Sequence, residues 1–249
     1  IAIFKAAVAE LPVAPTETFM TAVSPGQLWL NFRNEHYASD DEYIFAAAAA
    51  LHHEYHAIVE AGLILQIDDP SLAMGWNRIE FADRSFADYR RQVEQRVEAI
   101  NLALDGIPAD RVRLHVCWGN SETPHVRDLP LAELIEVLYG VQAKGLSVEG
   151  ANPRHGHEWQ VFKTHPLPDG KILIPGVIDT VTNFVEHPAL IAERLGRYAS
   201  VVGKENVIAG ADCGFGTFAG DRPRVHPTIA WAKLRALVEG AQLATEELW

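Results

Sequence analysis

The feature that most constrains this chain is a unit that recurs along it: a short apolar stretch, a polar loop, an amphipathic helical stretch and a glycine. Apolar stretches at 19–23, 63–67, 111–117, 146–149, 171–178 and 207–213 read as six β-strands, and helical patterns separate most of them. Ser39-Asp-Asp-Glu42 has capping-box spacing ahead of a helix to about Ala61. Asp83 or Ser85 opens a charged amphipathic helix to about Leu104, and a further helix is expected from about Pro130 to Lys144. His187-Pro188 and His226-Pro227 place proline in the first turn of two more. Ser24-Pro-Gly26 reads as a turn, and Ile1–Glu10 as the tail of an element.

Strands that alternate with helices pair in parallel through crossover connections. All but the first strand run into residues that bind or ionise, while the turns entering the strands are plain. That polarity belongs to the (β/α)8 TIM barrel, whose chemistry sits at the C-terminal rim. A doubly wound sheet obeys a related rule and stays as the alternative, although no G-x-G-x-x-G or P-loop follows a strand. Six strands do not make eight, and the chain opens at Ile1. The expectation is therefore one barrel domain over 1–249, N-terminally incomplete, with its first one or two βα units outside this chain.

Composition narrows the function classes. At 249 residues and 48% hydrophobic, the chain can bury a barrel-sized core. A net charge of -12 without a basic cluster gives no footprint for nucleic acid or for an anionic membrane surface. No apolar run approaches the roughly 20 residues that span a bilayer, and two cysteines far apart suit a reducing, cytoplasmic setting.

Those two cysteines focus the chemistry. In Arg111-Val-Arg-Leu-His-Val-Cys117, alternation sets His115 and Cys117 on one face and Val112, Leu114 and Val116 on the other. Cys213 ends a similar apolar run, and Glu149 ends the strand between. A tetrahedral site of His115, Cys117, Glu149 and Cys213 has the soft donors that suit zinc rather than magnesium or calcium. The plain alternative is that both cysteines are ordinary buried residues, His115 a hydrogen-bonded core histidine and Glu149 a rim salt-bridge partner. A Cys117–His115 nucleophile pair has poor geometry along one strand. Asp68 and Asp69 either hold a cationic group or cap the next segment. His155, His157 and Glu158 resemble a second metal cluster or a solvated lid. His52, His53 and His56 read as surface or interhelix residues, 83–96 as a solvated helix face, and Trp29, Trp76, Trp118 and Trp159 as pocket walls or packing under loops.

Taken together, Gln66-Ile-Asp-Asp-Pro70, His115-Val-Cys117, Glu149 and Asp212-Cys-Gly214 resemble the cobalamin-independent methionine synthase family, in its C-terminal catalytic barrel and single-barrel relatives. The resemblance implies Zn2+ on His115, Cys117, Glu149 and Cys213, with Asp68 holding the amino group of homocysteine. It implies a cytoplasmic methyltransferase of methionine biosynthesis, like 5-methyltetrahydropteroyltriglutamate-homocysteine S-methyltransferase. In it the substrate thiol binds zinc and attacks an alkyl carbon, with Glu149 as the ligand that yields. Its partners are a small-molecule thiol and a methyl or alkyl donor, with homo-oligomerisation left open. His155 is the first candidate for the catalytic acid, beside His157 and Asp179.

Two segments depart from the family pattern. Ser24-Pro-Gly-Gln-Leu-Trp29-Leu-Asn31 stands where the synthases have G-P-V-T followed by a tryptophan, with Trp29 out of register, and Gly150-Ala-Asn-Pro-Arg-His155 replaces a serine-rich segment. The donor is accordingly open between folate, corrinoid and epoxide, because epoxyalkane:coenzyme M transferases are similar too. A reading of another class is a barrel that binds a small molecule and turns nothing over, with a structural zinc or no metal.

Overall fold

The structure is a computed structural model that describes residues 1–77, 83, 85–216 and 224–249. Six strands, β1 (Phe19–Val23), β2 (Ile64–Asp68), β3 (Val112–Val116), β4 (Gly145–Val148), β5 (Ile172–Ile178) and β6 (Gly210–Ala211), form one parallel sheet in sequence order. Seven α-helices accompany it: α1 (Ala2–Ala9), α2 (Pro25–Asn31), α3 (Asp40–Glu60), α4 (Phe86–Ala103), α5 (Leu131–Tyr139), α6 (Pro188–Val202) and α7 (Pro227–Leu248). Sequential, parallel strands with an α-helix between neighbours, replaced between β4 and β5 by the 3-10 helix Glu158–Lys163, are the pattern of a partial (β/α) barrel. Among the described residues β1 and β6 each pair on one side only.

Local chemistry explains most boundaries. Ser39 Oγ accepts from the Glu42 amide at 3.1 Å and starts α3. Ser85 does the same for Asp88 at 3.1 Å in α4, and Pro188 and Pro227 occupy the first turns of α6 and α7.

Three expectations are corrected. Ser24-Pro-Gly26 is not a free turn: Ser24 Oγ accepts from the Gln27 amide at 2.9 Å, and Pro25 supplies the first turn of α2. α5 stops at Tyr139, five residues early, because the Lys144 amide is committed to Ala109 and Val112 oxygens, which leads the chain into β4. The stretch 207–213 yields only the two-residue β6 and an isolated bridge from Val207 to Leu173, with a register shift against β5 between Gly176 and Ile178.

The outward sheet face and α3, α4 and α5 enclose a core including Leu65, Ile67, Leu114, Val116, Leu134 and Leu146. A second cluster joins β5 to α6 and α7 through Val177, Ile178, Ile191, Leu195 and Ala236. Lys233 of α7, fully buried, donates to Glu186 at 2.8 Å after β5, so its charge is paired. No helix among the described residues is long and apolar enough to cross a membrane.

Candidate metal centre

Parallel register brings the candidate residues onto one face. Asp68 pairs with His115, and His115 with Ser147, so these three side chains form a row at the C-terminal ends of β2, β3 and β4. One step below, Gln66, Arg113 and Gly145 form a second row. Both rows except Gly145 line a cavity of about 420 Å³ that also reaches Cys213, with apolar walls from Phe19, Ile174, Ile208, Leu234 and Leu237.

At its upper end the atoms that could hold a metal on His115, Cys117 and Cys213 all lie within 4.8 Å of one another. The two Sγ atoms are 3.7 Å apart. Two sulfurs bonded to one zinc at ~2.3 Å with a tetrahedral angle lie about 3.8 Å apart, so the spacing fits shared coordination. His115 Nδ1 lies 3.2 Å from Ser147 Oγ, while its buried Nε2 has no hydrogen-bond partner. An orphaned imidazole nitrogen beside two sulfurs is the donor set expected of a zinc ligand group, and the hydroxyl on the other nitrogen orients the ring. Cys117 Sγ donates to Cys213 Sγ. That pairing, aided by the neighbouring His115, pulls the Cys213 thiol below its ordinary pKa, whereas the same pairing and burial push Cys117 up.

Glu149 stands next to this group rather than in it. Its Oε1 accepts from the Trp118 amide at 2.8 Å, and its Oε2 from Asn152 Nδ2 at 2.7 Å and Arg154 Nη2 at 3.0 Å. Arg154 continues to Asp128 at 2.6 Å, and Asp128 accepts from Asn77 at 2.7 Å. His155, 2% exposed, meets Glu158 at 2.8 Å and lies 4.0 Å from Glu149, under the Trp118 ring. Burial alone would lower the pKa of His155, but the Asp128 carboxylate 3.4 Å from Nε2 and the Glu158 carboxylate on Nδ1 lift it to about 9. It is not on the cavity wall.

The remaining candidates separate clearly. Asp68 lines the cavity, held by Gln66 at 2.7 Å, and burial raises its pKa. Asp69 is fully buried and caps the turn that follows, accepting from the Ser71 amide at 2.9 Å. Asp179 is spent on its own turn, accepting from Val181 and Thr182 amides, and His157 is exposed. His52 and His56 meet carbonyls of Ala103 and Asp105, which makes them interhelix residues.

The stretch 83–96 is not wholly a solvated face. Within α4, Arg96 is 1% exposed and lies 4.8 Å over the Trp29 ring; residues 78–82 and 84 are outside the described ones. None of Trp29, Trp76, Trp118 and Trp159 lines the cavity.

Sequence reasoning passed over Asp212 as an individual. It is buried and accepts from the amides of Gly150, Ala151 and Asn152 at 2.8, 2.8 and 2.9 Å, tying the loop after β4 to the chain entering Cys213. Gly176 leaves it room, since a Cβ there would overlap Asp212 Oδ1. The Asp-Cys-Gly motif was the visible signal; the partner loop was not.

Residues 29–242 match the catalytic domain of the cobalamin-independent synthase family. The chain belongs to this family. Among curated relatives, a 2-hydroxypropyl-CoM lyase of Xanthobacter autotrophicus is 26% identical over 239 residues, covering 86% of this chain and 57% of the relative. A methionine synthase of Saccharolobus islandicus is 27% identical over 218 residues, covering 86% and 54%. The chain thus spans little more than half the length of these relatives. A B12-independent methionine synthase from Shewanella, solved in complex with selenomethionine, superposes with a TM-score of 0.73 over 92% of this chain and 62% of that one, at 18% identity. That likeness is one of fold, and it agrees with the partial barrel described above.

Proposed function

We propose that the chain carries out zinc-dependent transfer of a methyl or other alkyl group to a substrate thiol, with homocysteine as the first-choice thiol. The observation that carries this reading is the 3.7 Å pair of sulfurs beside the unpartnered His115 Nε2, opening on the cavity that Asp68 lines. His115, Cys117 and Cys213 are assigned as lasting metal ligands and Glu149 as the exchangeable one. Zinc bound there would favour the ionised form of an incoming thiol and so supply a nucleophile at neutral pH.

The protein's own residues account for the rest. Asp68 anchors a substrate ammonium from the row it shares with His115. In the transfer, a carbon–sulfur bond forms and the bond from that carbon to its nitrogen or oxygen leaving group breaks; the leaving group takes up a proton. His155, protonated up to about 9 and 4.0 Å behind Glu149, is the proposed reservoir of that proton. Asn152, Arg154 and the Trp118 amide give Glu149 a hydrogen-bonded place when it is off the metal.

A second reading keeps the site and replaces the methyl donor with an epoxide; the similarity to a 2-hydroxypropyl-CoM lyase, no weaker than to the synthases, favours considering it. Incubation of the zinc-loaded protein with homocysteine or 2-mercaptoethanesulfonate and each donor class, followed by mass analysis, separates the two. The expected result is a thioether from one donor class. No thioether with any pair, from protein that holds zinc, would leave a binding barrel instead. A cytoplasmic setting and small-molecule partners belong to the same proposal.

A further inference from the structure

Arg113 sits one row below His115 and two below Cys117, and is not used by the chemistry above. It lies two residues before His115 on the same face of β3, a Cα separation of about 6–7 Å, and lines the same cavity as Asp68, Ser147 and Cys213. Among the described residues no hydrogen bond or ion pair engages its guanidinium, and its buried Nε has no partner. What it does have is a ring: the guanidinium carbon is 3.4 Å from the centroid of Phe19. Across the strand pair, Gly145 makes room for it, because a Cβ at 145 would come within 2.7 Å of Arg113 Cβ. Asp68 attracts Arg113 but is bonded to Gln66 instead. A cation stripped of much of its water and offered no carboxylate in contact is costly to keep unless a ligand completes it.

The geometry points to a ligand: we propose that Arg113 is the anion-binding residue of the thiol site, taking a carboxylate or sulfonate at the far end of the substrate while its sulfur sits at the cysteine pair. Two or three carbons between sulfur and anion span roughly 5–6 Å, comparable with the one two-residue step that separates Arg113 from the ligand His115, beside which a metal-bound sulfur would sit. Ile174, Ile208, Leu234 and Leu237 suit that short alkyl body. A planar fork of N–H donors matches either anion. This deepens the thiol-transfer reading and rests on it.

Titration calorimetry on zinc-loaded protein tests it, with 3-mercaptopropionate and homocysteine for the carboxylate, 2-mercaptoethanesulfonate for the sulfonate, and 2-mercaptoethanol as the neutral control. The charged thiols are expected to bind about 10- to 100-fold more tightly than the neutral one, the range of one charge-assisted contact. Arg113→Met is expected to erase that margin and leave 2-mercaptoethanol unchanged; the order of the charged arms tells carboxylate from sulfonate. Equal binding of charged and neutral thiols by the unmodified protein would overturn the proposal while the thiol reading stands, and it needs no variant to fold. A margin that survives Arg113→Met in a protein with unchanged thermal unfolding would also overturn it. Binding of no thiol at all would remove the thiol reading and this inference with it.

Discussion

Glu149, Arg154, Asp128, His155 and Glu158 form a chain of alternating charge behind the cysteine pair. Against the effect of burial, hydrogen bonds with His155, His125 and Arg154 hold the Asp128 carboxyl well below the usual carboxylate range. A group whose folded pKa is depressed adds stability above its unfolded value, near 4, and loses it as pH falls towards the folded value. Asp128→Asn is therefore expected to destabilise most at pH 6, with the difference from the unmodified protein shrinking from about pH 4 downwards. Urea unfolding at pH 6, 4 and 3 measures it, and a pH-independent difference would show that Asp128 is not charged by its neighbours in this way. The sequence showed Glu149 and Cys213 as candidates because they stand at strand ends, and His155 because it stands in the loop that follows one. It did not show Asp128 or Arg154 as their partners, because contacts between two loops 26 residues apart, with α5 and β4 between them, leave no periodic trace.

Among elements, the junction of β5 and β6 does most to place Cys213. The Asp212 amide donates to Ile178 at 3.0 Å, and its carboxylate reaches back to the loop after β4 over the bare backbone of Gly176. Gly176→Ala overpacks this contact and is expected to cost about 1–3 kcal/mol and to lower zinc retention, because Cys213 follows Asp212 directly. Chemical unfolding with metal analysis on the same samples checks both effects; a stable variant with full zinc would show that the junction tolerates the methyl. Helix starts were legible at Ser39, at Ser85 as one of two candidates, and where Pro188 and Pro227 stand in the first turn. α2 was not, because Ser-Pro-Gly satisfies a turn and a helix N-terminus equally, and only the Gln27 amide bond decides between them. β6 was overestimated because its apolar pattern runs from Val207 to Cys213, whereas a register shift against β5 breaks the ladder and leaves only Gly210 and Ala211 as strand.

At the scale of the whole molecule, β2, β3 and β4 have neighbours on both sides and the larger core behind them, whereas β1 and β6 are paired once among the described residues. Opening free energy should follow that arrangement. Amides of Leu65, Ile67, Leu114 and Leu146 are expected to exchange slowest and those of Gly210 and Ala211 among the fastest, by hydrogen exchange and mass spectrometry; uniform protection across the sheet would contradict an open partial barrel. The parallel order was legible in the alternation of strands with helices and in the polarity of their ends, and the structure has that order.

The central claim is that folding gathers the sulfurs of Cys117 and Cys213 with His115 into one metal site. Zinc K-edge absorption with metal quantification on the unmodified protein and on Cys117→Ser and Cys213→Ser tests it most directly. The expected result is ~1 zinc per chain with two sulfur neighbours at about 2.3 Å, and loss of sulfur neighbours and of most zinc in either variant. Full zinc with an unchanged spectrum in both variants would contradict it.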